Sequence, residues 1–219
     1  EMLDQVLEVF EINPDIDLDL MKNNQDLFDI SSAVLLKMRE VLDEVKPDIL
    51  LVHGDTSTTL FGAIAGFYSN IKVGHIEAGL RTFDIKSPYP EEFNRQITSK
   101  VSNIHFAPTE TSKENLLNEK INKNDIYVTG NTVIDSLFWV LNRIDINEDK
   151  TNSVKQNINK YLKFNWENEK FVLITGHRRE NFGDGFLEIC KALKEVSNKY
   201  KKIHFVYPVH LNPNVQKPV

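Results

Sequence analysis

Two hydrophobic periods alternate along the chain. Residues 2–11 place Leu3, Val6, Leu7 and Phe10 at helical spacing, which predicts an amphipathic helix. Residues 26–45 repeat the pattern, with Leu27, Ile30, Val34, Met38, Val41 and Leu42 on one face. Lys46-Pro47-Asp48 ends it, because proline has no N–H to continue a helix. Ile49-Leu50-Leu51-Val52 is then a short apolar run of the kind found in strands buried on both faces. The alternation continues with a helix over 56–68, a strand over 72–76, a helix over 91–102 and a strand over 104–106. A helix over 111–119, a strand over 126–128 and a helix over 133–141 follow. This order predicts an α/β fold, a parallel sheet covered by helices. Residues 15–20 alternate polar and apolar positions and predict one more short strand.

Residues 142–169 change character. They are charged and rich in Asn and Lys, with a weak helical pattern near 151–163, and read as a link between domains. Beyond them an apolar run at 171–174, a helix over 184–198 and a second run at 203–207 form one βαβ unit. The expected organisation is a Rossmann-like domain over 1–145, a linker over 146–169 and the start of a second such domain over 170–219. Both ends read as unfinished. The first domain opens on a helix rather than a strand, and two strands can hardly bury a core of their own.

Composition narrows the function classes. The net charge is −6, yet residues 1–48 hold 13 acidic and four basic side chains, so the remainder is mildly basic. That balance lacks the long basic patch of a nucleic-acid binder and leaves room for a small anionic ligand. No apolar run approaches the roughly 20 residues of a membrane helix, so no membrane partner is expected. The single cysteine, Cys190, excludes an internal disulfide, and with no export signal a cytoplasmic location is expected. Cys190 lies on an apolar helical face with Phe186, Ile189 and Leu193 and is expected to be buried. No His or Cys spacing suggests zinc, and no phosphate loop or dinucleotide fingerprint is present, so neither metal nor cofactor is expected.

Ligands of open parallel sheets collect at the carboxyl ends of the strands. Four polar clusters fall there. In His53-Gly54-Asp55-Thr56, Asp55 reads either as a helix cap or as a functional acid. In Gly74-His75-Ile76-Glu77-Ala78-Gly79-Leu80-Arg81, Glu77 sits between a buried strand and a glycine turn, where packing does not call for a carboxylate. The alternative is a salt bridge from Glu77 to Arg81. In Pro88-Tyr89-Pro90-Glu91-Glu92-Phe93-Asn94-Arg95, the proline suits a first helical position and the glutamates favour the positive helix end. Capping accounts for one glutamate but not for Arg95 one turn beyond Glu91. Gly176-His177-Arg178-Arg179 follows a strand and precedes a helix, a place where phosphates bind. His210 lies just past the last strand. His105 and His204 fall in strand patterns and read as core or edge residues.

Taken together, HGDT (53–56), GHIEAGLRT (74–82), SPYPEEFNR (87–95), TGNTVIDSL (129–137), TGHRREN (175–181) and VYPVHLNPNV (206–215) resemble the non-hydrolysing UDP-N-acetylglucosamine 2-epimerases. The resemblance runs the length of the chain. It implies a glycosyltransferase-B-like architecture of two Rossmann-type domains, with the family's first strand preceding residue 1 and its Ser-Gly-Gly phosphate loop following residue 219. It further implies a homodimeric isomerase that supplies surface-polysaccharide precursors and binds UDP-N-acetylglucosamine and UDP without NAD or metal. In that chemistry UDP is eliminated to give 2-acetamidoglucal, to which UDP adds back with inversion at C2. Carried onto this chain, Asp55, Glu77 and Glu91 are the acid/base carboxylates, His177 meets the UDP leaving group, and Arg95 supports the acidic site. Arg178 and His210 match residues implicated in binding a second, activating substrate molecule. Which carboxylate is acid and which base stays open. A hydrolysing epimerase releasing N-acetylmannosamine and a non-catalytic nucleotide-sugar-binding fragment stay open as alternatives.

Overall fold

The computed structural model describes residues 2–22, 24–176 and 184–209. It divides into two units, Glu1–Asn142 and Arg143–Val219.

In the first unit, α1 (Met2–Phe10) and α2 (Leu27–Val45) precede β1 (Ile49–His53). Then follow α3 (Ser57–Tyr68), β2 (Lys72–Ile76), α4 (Glu91–Val101), β3 (Ile104–Ala107), α5 (Glu110–Asn118), β4 (Ile126–Val128) and α6 (Thr132–Asp145). The strands form one sheet in the order β1-β2-β3-β4, every pair parallel. Hydrophobic periodicity therefore located all four strands.

Residues 15–20 are not a strand. The Asp17 carboxylate accepts from the N–H of Asp19, 2.9 Å away, and Asp19 has a φ of 41°. A local side-chain turn here takes the backbone out of the extended form that the alternation suggested.

Local sequence sets the helix ends. Asp26 and Asp29 form a reciprocal capping box at the start of α2, and Lys46 ends it in the left-handed conformation. Thr56 caps α3 and Thr109 caps α5, each accepting from the backbone N–H three residues on. The small buried residues Gly62, Ala63, Ala65 and Gly66 let α3 lie close on the sheet. Val52, Ala63 and Val73 form one core cluster beneath it, with Leu50 and Val101 packed alongside. Ala78, Ala107, Leu116 and Ile126 form a second cluster, closed by Ile121. Phe10 of α1 stacks on Trp139 of α6, with ring centroids 4.9 Å apart.

An ion pair ties the β2–α4 connection to the end of α5. Arg81, its side chain buried, donates through Nε and Nη2 to the two carboxylate oxygens of Glu119 at 2.6 and 3.0 Å, and through Nη2 to Ser99 Oγ at 2.9 Å. Burial pushes the Glu119 carboxyl up, but the hydrogen bonds and charge of Arg81, aided by Lys100, outweigh it and leave the group below the ordinary glutamate value.

In the second unit, β5 (Phe171–Leu173) and β6 (His204–Val206) pair in parallel around α8 (Asp184–Lys199). The segment 142–169 carries the end of α6 and the whole of α7 (Glu148–Tyr161). His204 stacks on Phe164 at 3.8 Å between centroids, and its Nε2 is 3.0 Å from Glu169 Oε2. Cys190 is half-buried rather than buried, and Ile189 beside it on α8 stays exposed while Phe186 is covered. No helix among the described residues is long and apolar enough to cross a membrane.

Candidate active site

The register of β1 and β2 brings two polar turns side by side. His53 pairs with Ile76, so Gly54-Asp55 and Glu77 leave the sheet together. The N–H of Gly54 donates to the Ile76 carbonyl at 3.0 Å. From the other side His75 Nε2 lies 2.8 Å from the Gly54 carbonyl oxygen. A carbonyl only accepts, so His75 carries its proton on Nε2. Asn94 of α4 donates through Nδ2 to the Asp55 carbonyl at 2.8 Å. Hydrogen bonds from two different elements thus hold the backbone on either side of Asp55.

With Thr56 as the cap of α3, the Asp55 side chain is free for another use. Its Oδ2 is 2.9 Å from Arg95 Nη2. Burial pushes the Asp55 carboxyl above the ordinary aspartate value; Arg95 opposes the rise, and Glu91 and then Glu92 add to it. Asp55 is therefore a partly buried acid whose proton affinity is raised by burial and adjusted by charges on α4.

Glu77 adopts a left-handed φ of 68°, which turns it out of the strand into this corner. Its Oε2 is 3.9 Å from His53 Nε2, and a side chain added at Gly54 would meet the same oxygen at 3.6 Å. The alternative salt bridge to Arg81 is absent, since Arg81 is committed to Glu119. Glu91, half-buried in the first turn of α4, acts on Asp55 through its charge. Helix α4 begins at Glu91, one residue after Pro90.

Asp55, Glu77, Glu91 and Arg95 are thus gathered at one corner, where β1 and β2 end and α4 begins. His177, Arg178 and His210 lie outside the described residues. Sequence reading missed Glu92, Asn94 and His75. Glu92 is fully buried and accepts from the N–H groups of Thr82 and Phe83 and from Gln96 Nε2. The i,i+3 spacing of Glu92 and Arg95 was the available signal. Among the described residues no group of three or more His, Cys, Asp or Glu is placed to hold a metal ion.

A corner of this kind offers several carboxylates with a cation on one of them, a setting suited to proton transfer at carbon. Comparison with known proteins narrows the possibilities. A family model described as UDP-N-acetylglucosamine 2-epimerase matches residues 1–219. A UDP-N-acetylglucosamine 2-epimerase of Campylobacter jejuni is 55% identical over 221 residues, covering 100% of this chain and 57% of its own length. That of Escherichia coli K12 is 50% identical over 219 residues, again 100% and 57%. Among solved structures, the Neisseria meningitidis UDP-GlcNAc 2-epimerase bound to UDP-GlcNAc superposes with a TM-score of 0.91 at 50% identity, covering 99% of this chain and 57% of that one. The Methanocaldococcus jannaschii enzyme in complex with UDP-GlcNAc and UDP gives 0.78 at 34% identity, covering 97% and 55%. The chain therefore spans somewhat over half the length of these relatives, and the likeness bears out the α/β, glycosyltransferase-B-like class.

Proposed function

Because the chain belongs to the UDP-N-acetylglucosamine 2-epimerase family, we propose that its protein interconverts UDP-N-acetylglucosamine and UDP-N-acetylmannosamine without hydrolysis. The observation that carries this reading is the corner that joins Asp55, Glu77, Glu91 and Arg95. The C2 hydrogen of the sugar has no adjacent ketone, so removing it as a bare carbanion is too costly. Elimination avoids that cost. One carboxylate takes the C2 proton while the C1–O bond breaks, and UDP leaves with the electron pair. A C1–C2 double bond remains. On return, the UDP oxygen bonds C1 again as a second carboxylic acid delivers its proton to C2 from the opposite face.

Such a cycle calls for one ionised and one protonated carboxyl at the same pH. The raised proton affinity of Asp55 suits it to hold a proton more readily than an ordinary aspartate, and Glu77 and Glu91 supply the remaining groups. Arg95 keeps Asp55 in place through its 2.9 Å ion pair. His177 is assigned to the leaving diphosphate, whose growing charge needs neutralising. Arg178 and His210 are assigned to a second nucleotide-sugar. The protein is further proposed to act as a cytoplasmic homodimer supplying surface polysaccharide.

The test uses this chain and a chimera in which the remaining sequence comes from the Campylobacter jejuni relative. Each is incubated with UDP-N-acetylglucosamine in D₂O and followed by proton NMR at C1 and C2. The expected result for the chimera is UDP-N-acetylmannosamine carrying deuterium at C2. Free N-acetylmannosamine with UDP would point to the hydrolysing enzyme. No exchange and no new sugar signal would overturn the assignment of Asp55, Glu77 and Glu91.

A further inference from the structure

Glu92 is a carboxylate with no exposure to solvent, one residue beyond the proposed catalytic Glu91. Among the described residues its oxygens face hydrogen donors. The N–H groups of Thr82 and Phe83 approach at 3.1 and 3.2 Å, and Gln96 Nε2 at 2.8 Å. Arg95 Nε lies 3.5 Å from Oε2, an ion-pair separation longer than a hydrogen bond. That Nε is buried with no hydrogen-bond acceptor among the described residues, so Glu92 is the charge that compensates it. The far end of the same guanidinium, Nη2, is 2.9 Å from Asp55 Oδ2.

We propose that Glu92 is a positioning residue. It holds the Arg95 guanidinium from the buried side, so that Nη2 is presented to Asp55, and it locks the 82–83 turn onto α4. The inference rests on the reading of Asp55 as an acid/base group.

The geometry has an electrostatic consequence. Arg95 lies between two carboxylates, and its charge lowers the proton affinity of Asp55 more than the nearby Glu92 raises it. The titratable and charged groups around Asp55 are Glu91, Glu92 and Arg95 from α4, and His53 and Glu77 from the strand ends; His75 touches the adjacent Gly54 carbonyl. Without Glu92 the guanidinium is no longer held toward Asp55, and losing its larger effect outweighs the weaker repulsion that leaves with the Glu92 charge. The protonated form of Asp55 is then favoured.

The test is a ¹³C NMR titration of the Asp55 carboxyl in this chain and in Glu92→Gln. The expected result is a midpoint moved to higher pH in the variant. In the active chimera, the acid limb of C2 exchange moves the same way, with the rate at neutral pH falling roughly tenfold. An unchanged or lowered Asp55 midpoint, the sign of a guanidinium still in place, overturns the proposal, even where the rate falls. If Glu92→Gln does not fold, Asp55→Asn decides. The Arg95 Nε–H is expected to stay protected from solvent exchange in that variant, and rapid exchange would show that Asp55, not Glu92, holds the guanidinium. Failure of the acid/base reading is separately visible, as full exchange activity in Asp55→Asn.

Discussion

His75 and His105 stand opposite one another in the register of β2 and β3, both buried and each with an Nδ1 that has no hydrogen-bond partner among the described residues. Burial pushes the proton affinity of His75 down to about 4; the Gly54 carbonyl opposes this, while His105, Arg81 and His53 reinforce it. Burial lowers His105 as well, with Asp125 opposing and Arg81 reinforcing. Both rings are therefore neutral in the folded chain at pH 7.

Acid should unfold the first unit through this pair. The unfolded histidines take up protons near their ordinary 6.5, whereas the folded ones do not. Stability is thus fully present above pH 6.5 and is lost as pH falls toward 4. For His75 alone the loss approaches roughly 3 kcal/mol. Urea unfolding at pH 7, 6, 5 and 4.5 should show falling midpoints, and His105→Gln should flatten the slope. A pH-independent midpoint across this range would contradict the account.

Two glycines with similar backbone angles should differ sharply when replaced. Gly79 has a φ of +90°, and a Cβ there would lie 2.2 Å from the Ser112 carbonyl oxygen, part of a helix that cannot yield. Gly130 has a φ of +85° but nothing within 4 Å of its added Cβ. Gly130→Ala should cost about 1–2 kcal/mol, the strain of the left-handed region alone. Gly79→Ala should cost more than about 3 kcal/mol or prevent folding, because overpacking against backbone adds to that strain. Thermal melts of the two variants compare them directly.

Thr56 and Asp55 are neighbours with separable tasks. Thr56→Ala removes the cap of α3 and should destabilise the chain by about 1 kcal/mol. It should leave C2 exchange in the chimera within a few-fold of the parent. Asp55→Asn keeps the side-chain shape and removes a carboxylate that burial makes costly to ionise, so its stability should change little. Exchange should fall by roughly 10³-fold or more, the contribution of a lost acid/base group. Denaturation midpoints and exchange rates, measured on the same preparations, test both halves of the contrast.

Much of the fold was legible because buried strands and amphipathic helices leave different hydrophobic periods. The run at 49–52 is apolar and Lys72–Ile76 is a short segment bounded by turn residues, so their strands follow directly, although Val52 is the one residue of β1 that is buried. Residues 15–20 misled because the period of two appears in any segment that alternates, including one turned back by its own Asp17. The corner at Asp55, Glu77 and Glu91 was legible for a related reason. Polar residues that end apolar strands in a parallel sheet share one edge.

By itself the sequence determined the order of strands and helices, the family motifs and the set of acidic residues brought to that edge. Only the tertiary structure decided how the charges pair. Arg81 looked available to Glu77 four residues away, yet it binds Glu119 across 38 residues. Glu91 and Glu92 are adjacent in sequence, yet one remains half-open while the other is sealed beneath the 82–83 turn. The physical reason is that hydrophobic patterning acts locally along the chain. A charge's partner is fixed by which elements packing brings within hydrogen-bond reach, and by how much solvent that packing removes.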